Sequence, residues 1–194
     1  MVERIGLYGG TFDPPHHGHV AVAVEAAWRL HLDSVLVVVA GDPWQKSSTA
    51  QVSPAPDRLA LAAAAVEGVE GVEVSDIEVS RGGPSYTIDT VEALARRDRE
   101  LVVVLGADAA ATLPTWHRAA DLAAAVEVAV TPRPGFEVPD LGPQWRLRRF
   151  DAPFFDISST DIRARVRGDR PVVHLVPAAV RAEIMRRGLY RSRR

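Results

Sequence analysis

His16, His17, Gly18 and His19 form one short run, and Gly9-Gly10-Thr11 stands just before it. Two imidazoles three residues apart share a face at the start of a helix. Each carries an N–H donor, and a pair of donors can stabilise charge that builds up on a phosphoryl group. Glycines let a phosphate approach the backbone closely. A helix opening here adds unpaired N–H groups and a positive dipole end, both of which favour anions. Gly18 removes a side chain that would stand between the histidines and a ligand. The run is not the dinucleotide fingerprint Gly-x-Gly-x-x-Gly, nor a P-loop, because no Gly-Lys-Ser or Gly-Lys-Thr follows. The two histidines could instead bind a metal, although no third ligand is obvious, or could decorate a plain surface turn.

Ile157-Ser158-Ser159-Thr160-Asp161-Ile162-Arg163 opens a late helix. Ser158 can cap it, with Asp161 as a capping-box partner three residues on. That accounts for Ser158 and Asp161 but not for three successive hydroxyls with Arg163 one turn in. Hydroxyls and N–H groups at a helix start beside a guanidinium make a phosphate site. Ser85-Tyr86-Thr87 precedes another helix, where N–H groups around Thr87 can receive a carboxylate. A simple cap at Ser85 or Thr87 is the alternative reading. Trp116 has the flat face that stacks on a ring, although a lone Trp is more often core, as expected for Trp28 on its apolar helix face. Trp145 carries no assignment. All but one of the 23 basic residues are Arg, the exception being Lys46. A compact ammonium on a flexible stem differs from a planar fork, so Lys46 marks a position where Arg would not serve, or an accident of composition. Asp13 reads as a turn residue before Pro14.

These residues need elements to hold them. Arg4 to Tyr8, Ser34 to Ala40, Val72 to Ser80, Leu101 to Leu105 and Val126 to Val130 read as strands, with Arg146 to Phe150 as a late one. His19 to Leu32, Asp57 to Glu67, Ile88 to Arg97 and Arg118 to Ala125 carry helical spacing. Ser158 to Arg167 and Pro177 to Arg187 read as closing helices, the second stopped by Gly188. Pro132 to Pro143 reads as a loop. Alternating β and α units predict a doubly wound parallel sheet with helices on both faces. In such a sheet Gly9-Gly10-Thr11, Asp42 to Lys46 and Gly106-Ala107-Asp108 gather at one rim, where ligands bind.

Composition sets the bounds. The chain has 194 residues, a formal net charge of −2 and no cysteine. The absence of cysteine excludes disulfides, thiolate metal sites and cysteine nucleophiles. The near-neutral charge points to neither nucleic acid nor membrane. No apolar stretch is long enough to span a bilayer and no signal-peptide pattern opens the chain, so a cytoplasmic location is expected by default.

Together, His16-His17-Gly18-His19 and Ile157 to Arg163 resemble the nucleotidyltransferase superfamily with the signatures His-x-Gly-His and Ile-Ser-Ser-Thr-x-Ile-Arg. Gly82 to Thr90, Gly106-Ala107-Asp108, Trp116 and Arg133-Pro134-Gly135 look like bacterial nicotinate-nucleotide adenylyltransferase. The resemblance runs from Met1 to Tyr190 and is weakest from Phe136 to Pro153. It implies a Rossmann-like α/β fold with strand order 3-2-1-4-5. It also implies one nucleotidyltransferase domain over 1–194, with 157–190 as its C-terminal helical part.

The implied reaction moves the adenylyl group of ATP onto nicotinate mononucleotide. On that reading His16, His19, Ser158, Ser159 and Arg163 hold the triphosphate, and Gly9, Thr11 and Phe12 receive ATP through their backbone. Asp108 lies on the ribose or adenine side. Gly10, Ser85, Tyr86, Thr87, Trp116, His117 and Arg133 attend the mononucleotide. Lys46, in a Pro-x-x-Lys loop that departs from the common Pro-His-Lys form, reaches phosphate. His117 stands where many relatives carry Tyr, Phe or Lys. Mg2+ arrives with ATP rather than in an all-protein site. ATP and nicotinate mononucleotide are the expected partners, with a homo-oligomer left open. Nicotinamide mononucleotide or phosphopantetheine adenylylation share the signatures, as would a regulatory nucleotide-binding module that no longer turns over.

Overall fold

Runs of β-branched residues form the sheet at the centre of the computed structural model, which describes residues 2–43 and 52–191. Its strands are β1 (Glu3–Gly10), β2 (Ser34–Val39), β3 (Val72–Ser75), β4 (Arg99–Gly106), β5 (Glu127–Thr131) and β6 (Arg146–Arg149). The spatial order is β3-β2-β1-β4-β5-β6 and every pairing is parallel. The expected order 3-2-1-4-5 is therefore present, and β6 extends it beyond β5. Strands buried on both faces explain the unbroken apolar runs. In β4 the two-residue period sends Leu101, Val103 and Leu105 to one core and Val102 and Val104 to the other.

Helices cover both faces. On one side lie α1 (His17–Arg29) and α2 (Ala55–Val66), whose Ala23, Ala26 and Ala62 pack against β1, β2 and β4. On the other side lie α3 (Ile77–Arg81), α4 (Thr87–Leu94), α5 (Ala107–Ala110) and α6 (Ala119–Ala125). Two closing helices, α7 (Ser159–Arg167) and α8 (Ala178–Arg187), build a third apolar cluster against the back of α2. No helix among the described residues is long and apolar enough to cross a membrane.

Several local expectations change. The strand expected from Val72 to Ser80 stops at Ser75, and α3 begins at Ile77. The chain turns because Glu78 is buried against Thr90 of α4, whose hydroxyl donates to Glu78 Oε1 at 2.7 Å. Ser80 Oγ also ties back to Asp76 at 2.7 Å. The helix expected from Ile88 to Arg97 runs from Thr87 to Leu94, because Ala95 is already extended. Neither Ser85 nor Thr87 caps it; Tyr86 occupies the N-cap and makes no side-chain cap hydrogen bond. Trp28 is 71% exposed, with the Arg29 guanidinium 5.4 Å from its ring, because α1 turns Ala23 and Ala26 inward instead. Trp145 is the buried tryptophan, 7% exposed in the core beside β4 and β5.

Candidate active site

The chain winds outward from β1 through β2 to β3, then crosses to β4 on the other side of β1. The carboxyl ends of β1 and β4 are the switch point, where a doubly wound sheet leaves a crevice. Two clefts open there. One, of about 400 Å³, includes Ser85, Tyr86, Thr87, Trp116 and His117 in its lining. The other, of about 550 Å³, includes His16, His19, Ser158, Ser159 and Arg163. Gly9, Gly10, Thr11 and Asp108 line both, so the end of β1 and the start of α5 form a common wall.

In the larger cleft, His16 is the N-cap of α1 and its backbone N–H donates to His19 Nδ1 at 3.1 Å. Because that nitrogen accepts, a neutral His19 carries its proton on Nε2. The two rings lie 3.7 Å apart between centroids, and Phe12 meets His19 edge-on at 5.2 Å. Burial, reinforced by the positive charges of Arg133 and His17, pulls the His16 pKa down to about 4, so its ring is neutral at pH 7. Its Nδ1 is buried with no hydrogen-bond partner among the described residues. Such an atom is costly unless something completes it. A Cβ at position 18 would sit 3.1 Å from that nitrogen, which accounts for Gly18.

The late segment does more than face a ligand. Ser158 caps α7 by accepting from the Asp161 N–H at 3.1 Å, while the Asp161 carboxylate pairs with Arg165 rather than completing a box. Ser159 Oγ donates to the carbonyl of Pro14 at 2.8 Å, and Arg163 Nη1 donates to that of Asp13 at 2.7 Å. Asp13 is not merely a turn residue. It is 4% exposed, and its carboxylate accepts from Tyr190 Oη at 2.7 Å and from the Ser53 N–H at 3.1 Å. Burial, then the Asp13 charge, raises the Tyr190 phenol pKa well above its usual value, so it remains a donor.

The smaller cleft is built differently. Ser85 Oγ accepts from the Gly41 N–H at 2.8 Å, and the Ser85 N–H donates to the Asp42 carbonyl at 3.1 Å, so this stretch is tied to the exit of β2. Gly41 permits the approach, since a Cβ there would fall 2.6 Å from the Glu78 carbonyl oxygen. Trp116 Nε1 donates to Thr112 Oγ1 at 2.9 Å, which fixes its ring at the cleft wall. Tyr86 and His117 stack at 4.2 Å with an interplanar angle of 27°. The first N–H groups of α4 have no side-chain cap where Tyr86 and Thr87 line the cleft.

Arg133, expected beside the mononucleotide residues, lines the larger cleft instead, 3.4 Å from Asp108. Lys46 lies outside the described residues. Arg58 escaped the sequence reading altogether. It is 1% exposed on α2 and donates to the carbonyls of Thr11, Ala40, Gly41 and Ser53. The one available signal was its spacing, in step with Leu61, Ala62 and Ala65 on the buried face.

A cytidylyltransferase-like family model matches residues 7–165. A Corynebacterium kroppenstedtii protein named "Probable nicotinate-nucleotide adenylyltransferase" is 41% identical over 192 residues, covering 96% of this chain and 90% of the relative. One of the same name from Streptomyces coelicolor is 42% identical, covering 95% and 99%. Among solved structures, a Plasmodium falciparum nicotinic acid mononucleotide adenylyltransferase complexed with NaAD shares the fold with a TM-score of 0.81. It is 16% identical, with 97% of each chain covered.

Proposed function

This chain belongs to the cytidylyltransferase-like family, among the nicotinate-nucleotide adenylyltransferases, and we propose how its two clefts divide the reaction of that family. It transfers the adenylyl group of ATP to nicotinate mononucleotide, giving nicotinate adenine dinucleotide and pyrophosphate, a step of NAD biosynthesis. ATP occupies the larger cleft and the mononucleotide the smaller. The observation that carries this division is the common wall at the end of β1, with paired histidines on one side and an aromatic cleft at an uncapped helix start on the other.

The acceptor phosphate is already anionic and attacks the α-phosphorus of ATP. A new P–O bond forms as the bond from the α-phosphorus to the β-phosphate bridging oxygen breaks, and pyrophosphate leaves with that electron pair. No protein nucleophile is needed, so the protein contributes alignment and charge stabilisation. His19 donates from Nε2 to the α-phosphate and His16 donates to the phosphate chain. Arg163, Ser158 and Ser159 serve the β- and γ-phosphates, and Lys46 adds positive charge. Gly9, Thr11 and Phe12 receive ATP through the backbone, and Asp108 meets the ribose side.

In the smaller cleft, Trp116 stacks on the pyridine ring, and the N–H groups at Thr87 receive the nicotinate carboxylate. Ser85, Tyr86, His117 and Gly10 complete that wall. Arg133 lies beside Asp108, a location that supports contact with phosphates near the common wall rather than with the pyridine. A divalent cation accompanies ATP, and Mg2+ suits it. Such a cation is commonly carried mainly on the substrate's phosphate oxygens. Residues 1–194 form one nucleotidyltransferase domain, with 157–190 as its C-terminal helical part. The contacts of Ser159, Arg163 and Tyr190 with the Asp13–Pro14 stretch support this.

The test is pyrophosphate release from ATP and Mg2+, with nicotinate and nicotinamide mononucleotides in parallel. Strong preference for the acid is expected. Preference for the amide would overturn the carboxylate site at Thr87, and release with neither would overturn the acceptor assignment.

A further inference from the structure

We propose that Arg58 is a positioning residue for adenylyl transfer, whose buried guanidinium ties Thr11, in the wall common to both clefts, to the backbone of the β2–α2 connection. The inference rests on the adenylyl-transfer reading and adds a residue to it. An arginine in step with Leu61, Ala62 and Ala65 on the buried face of α2 is costly to desolvate, and an apolar side chain would fill the space more cheaply. The compensation is specific. Nε donates to the Ser53 carbonyl at 2.9 Å, Nη1 to those of Thr11 at 3.0 Å and Ala40 at 2.6 Å, and Nη2 to that of Gly41 at 2.9 Å.

Those carbonyls belong to two connections, the turn after β1 and both ends of the β2–α2 connection. Thr11 follows β1 and lines both clefts. Ala40 and Gly41 follow β2, and Ala40 lines the smaller cleft. Ser53 precedes α2 and is held from both sides, its N–H donating to Asp13 and its carbonyl accepting from Arg58. Ala40 and Ser53 also flank the stretch of sequence that contains Lys46. A planar fork with donors in fixed directions sets the spacing of these segments, whereas an ammonium on a flexible stem offers three donors and no fixed plane. Each of these four hydrogen bonds goes to a carbonyl oxygen, so together they set the geometry of the backbone around the fork. A shift of about 1 Å in aligned groups can cost about 100-fold in rate.

The test compares Arg58→Met and Arg58→Lys with Val35→Ala, a core variant at the amino end of β2 that lines neither cleft. Melting temperature, kcat, KM for each substrate and ATP affinity by calorimetry are measured on each. For Arg58→Met, at a temperature where circular dichroism shows it folded, kcat should fall about 100-fold and both KM values rise. Val35→Ala should melt earlier yet keep its kinetic constants. Arg58→Lys should recover melting temperature more fully than kcat. Kinetics in Arg58→Met that match those of Val35→Ala would overturn the proposal, as would wild-type constants in Arg58→Lys. If Arg58→Met does not fold, Arg58→Lys decides by the same criterion. A wild-type protein that releases no pyrophosphate would strike the adenylyl-transfer reading instead. ATP affinity would then judge Arg58, and an unchanged affinity in Arg58→Lys would overturn its role.

Discussion

At the residue scale, His16 shows how one position can serve both phosphate chemistry and stability. Its ring is 8% exposed and its pKa lies near 4, against an ordinary 6.5, with burial as the main cause. The folded protein therefore refuses a proton that the unfolded chain accepts. As pH falls from about 6.5 to about 4, the unfolded state binds more protons and folding stability declines; above 6.5 His16 makes no pH-dependent contribution. The urea midpoint of the wild type should fall across this window more steeply than that of His16→Asn, which cannot titrate. A nuclear magnetic resonance titration of His16 with a midpoint near 6.5 would show that the ring is solvated and would remove this contribution. Neutrality at pH 7 suits the proposed role, since a neutral imidazole still donates one N–H and costs less to bury than an imidazolium would.

At the scale of the element, α4 carries the most discriminating feature of the acceptor cleft. Its N-cap Tyr86 is extended, with φ −105° and ψ 126°, and makes no side-chain cap hydrogen bond to the first N–H groups. Proline is well tolerated at the first helical position, where the N–H has no intrahelical partner. It also favours an extended residue before it, as Tyr86 already is. Thr87→Pro should therefore keep the fold and melting temperature while removing one donor to the nicotinate carboxylate. A hydrogen bond to a charged group is worth about 1.5–3 kcal/mol, so the preference for acid over amide should shrink by about 10-fold or more. An unchanged preference, measured as the ratio of kcat/KM values, would place carboxylate recognition elsewhere. The Ser85 contact with Gly41 is separate from this donor and should survive the substitution.

Across the whole molecule, the two ends of the chain meet at the phosphate loop. Tyr190 donates to Asp13 across 177 positions of sequence, and Arg163 and Ser159 hold the carbonyls of Asp13 and Pro14. The C-terminal helices are thus coupled to the turn that presents His16 and His19. Tyr190→Phe removes a single hydroxyl and leaves a buried carboxylate one donor short, which should cost about 1–3 kcal/mol of stability. Because that carboxylate also holds the Ser53 N–H, KM for ATP should rise with the loss of stability. Full stability with an unaltered KM would show that the junction of the two termini is incidental.

What the sequence determined by itself was local and periodic. Apolar runs with β-branched residues placed the strands, helical spacing placed most helices, and alternation of the two dictated a parallel sheet. The runs around His16 and Ile157 marked the phosphate side because donors at helix starts are written in consecutive residues. Where the chain's own pattern was ambiguous, packing decided. The stretch from Val72 to Ser80 alternates well enough for a strand, yet Glu78 finds Thr90 and the strand ends at Ser75. Trp28 sits at helical spacing with apolar neighbours, yet α1 needs only small residues against the sheet and leaves it outside. The roles of Asp13, Tyr190 and Arg58 were invisible for a common reason. A carboxylate, a phenol or a guanidinium shows in sequence only what it can donate or accept, and its partners lie on segments that only the folded sheet and its closing helices bring within hydrogen-bond reach.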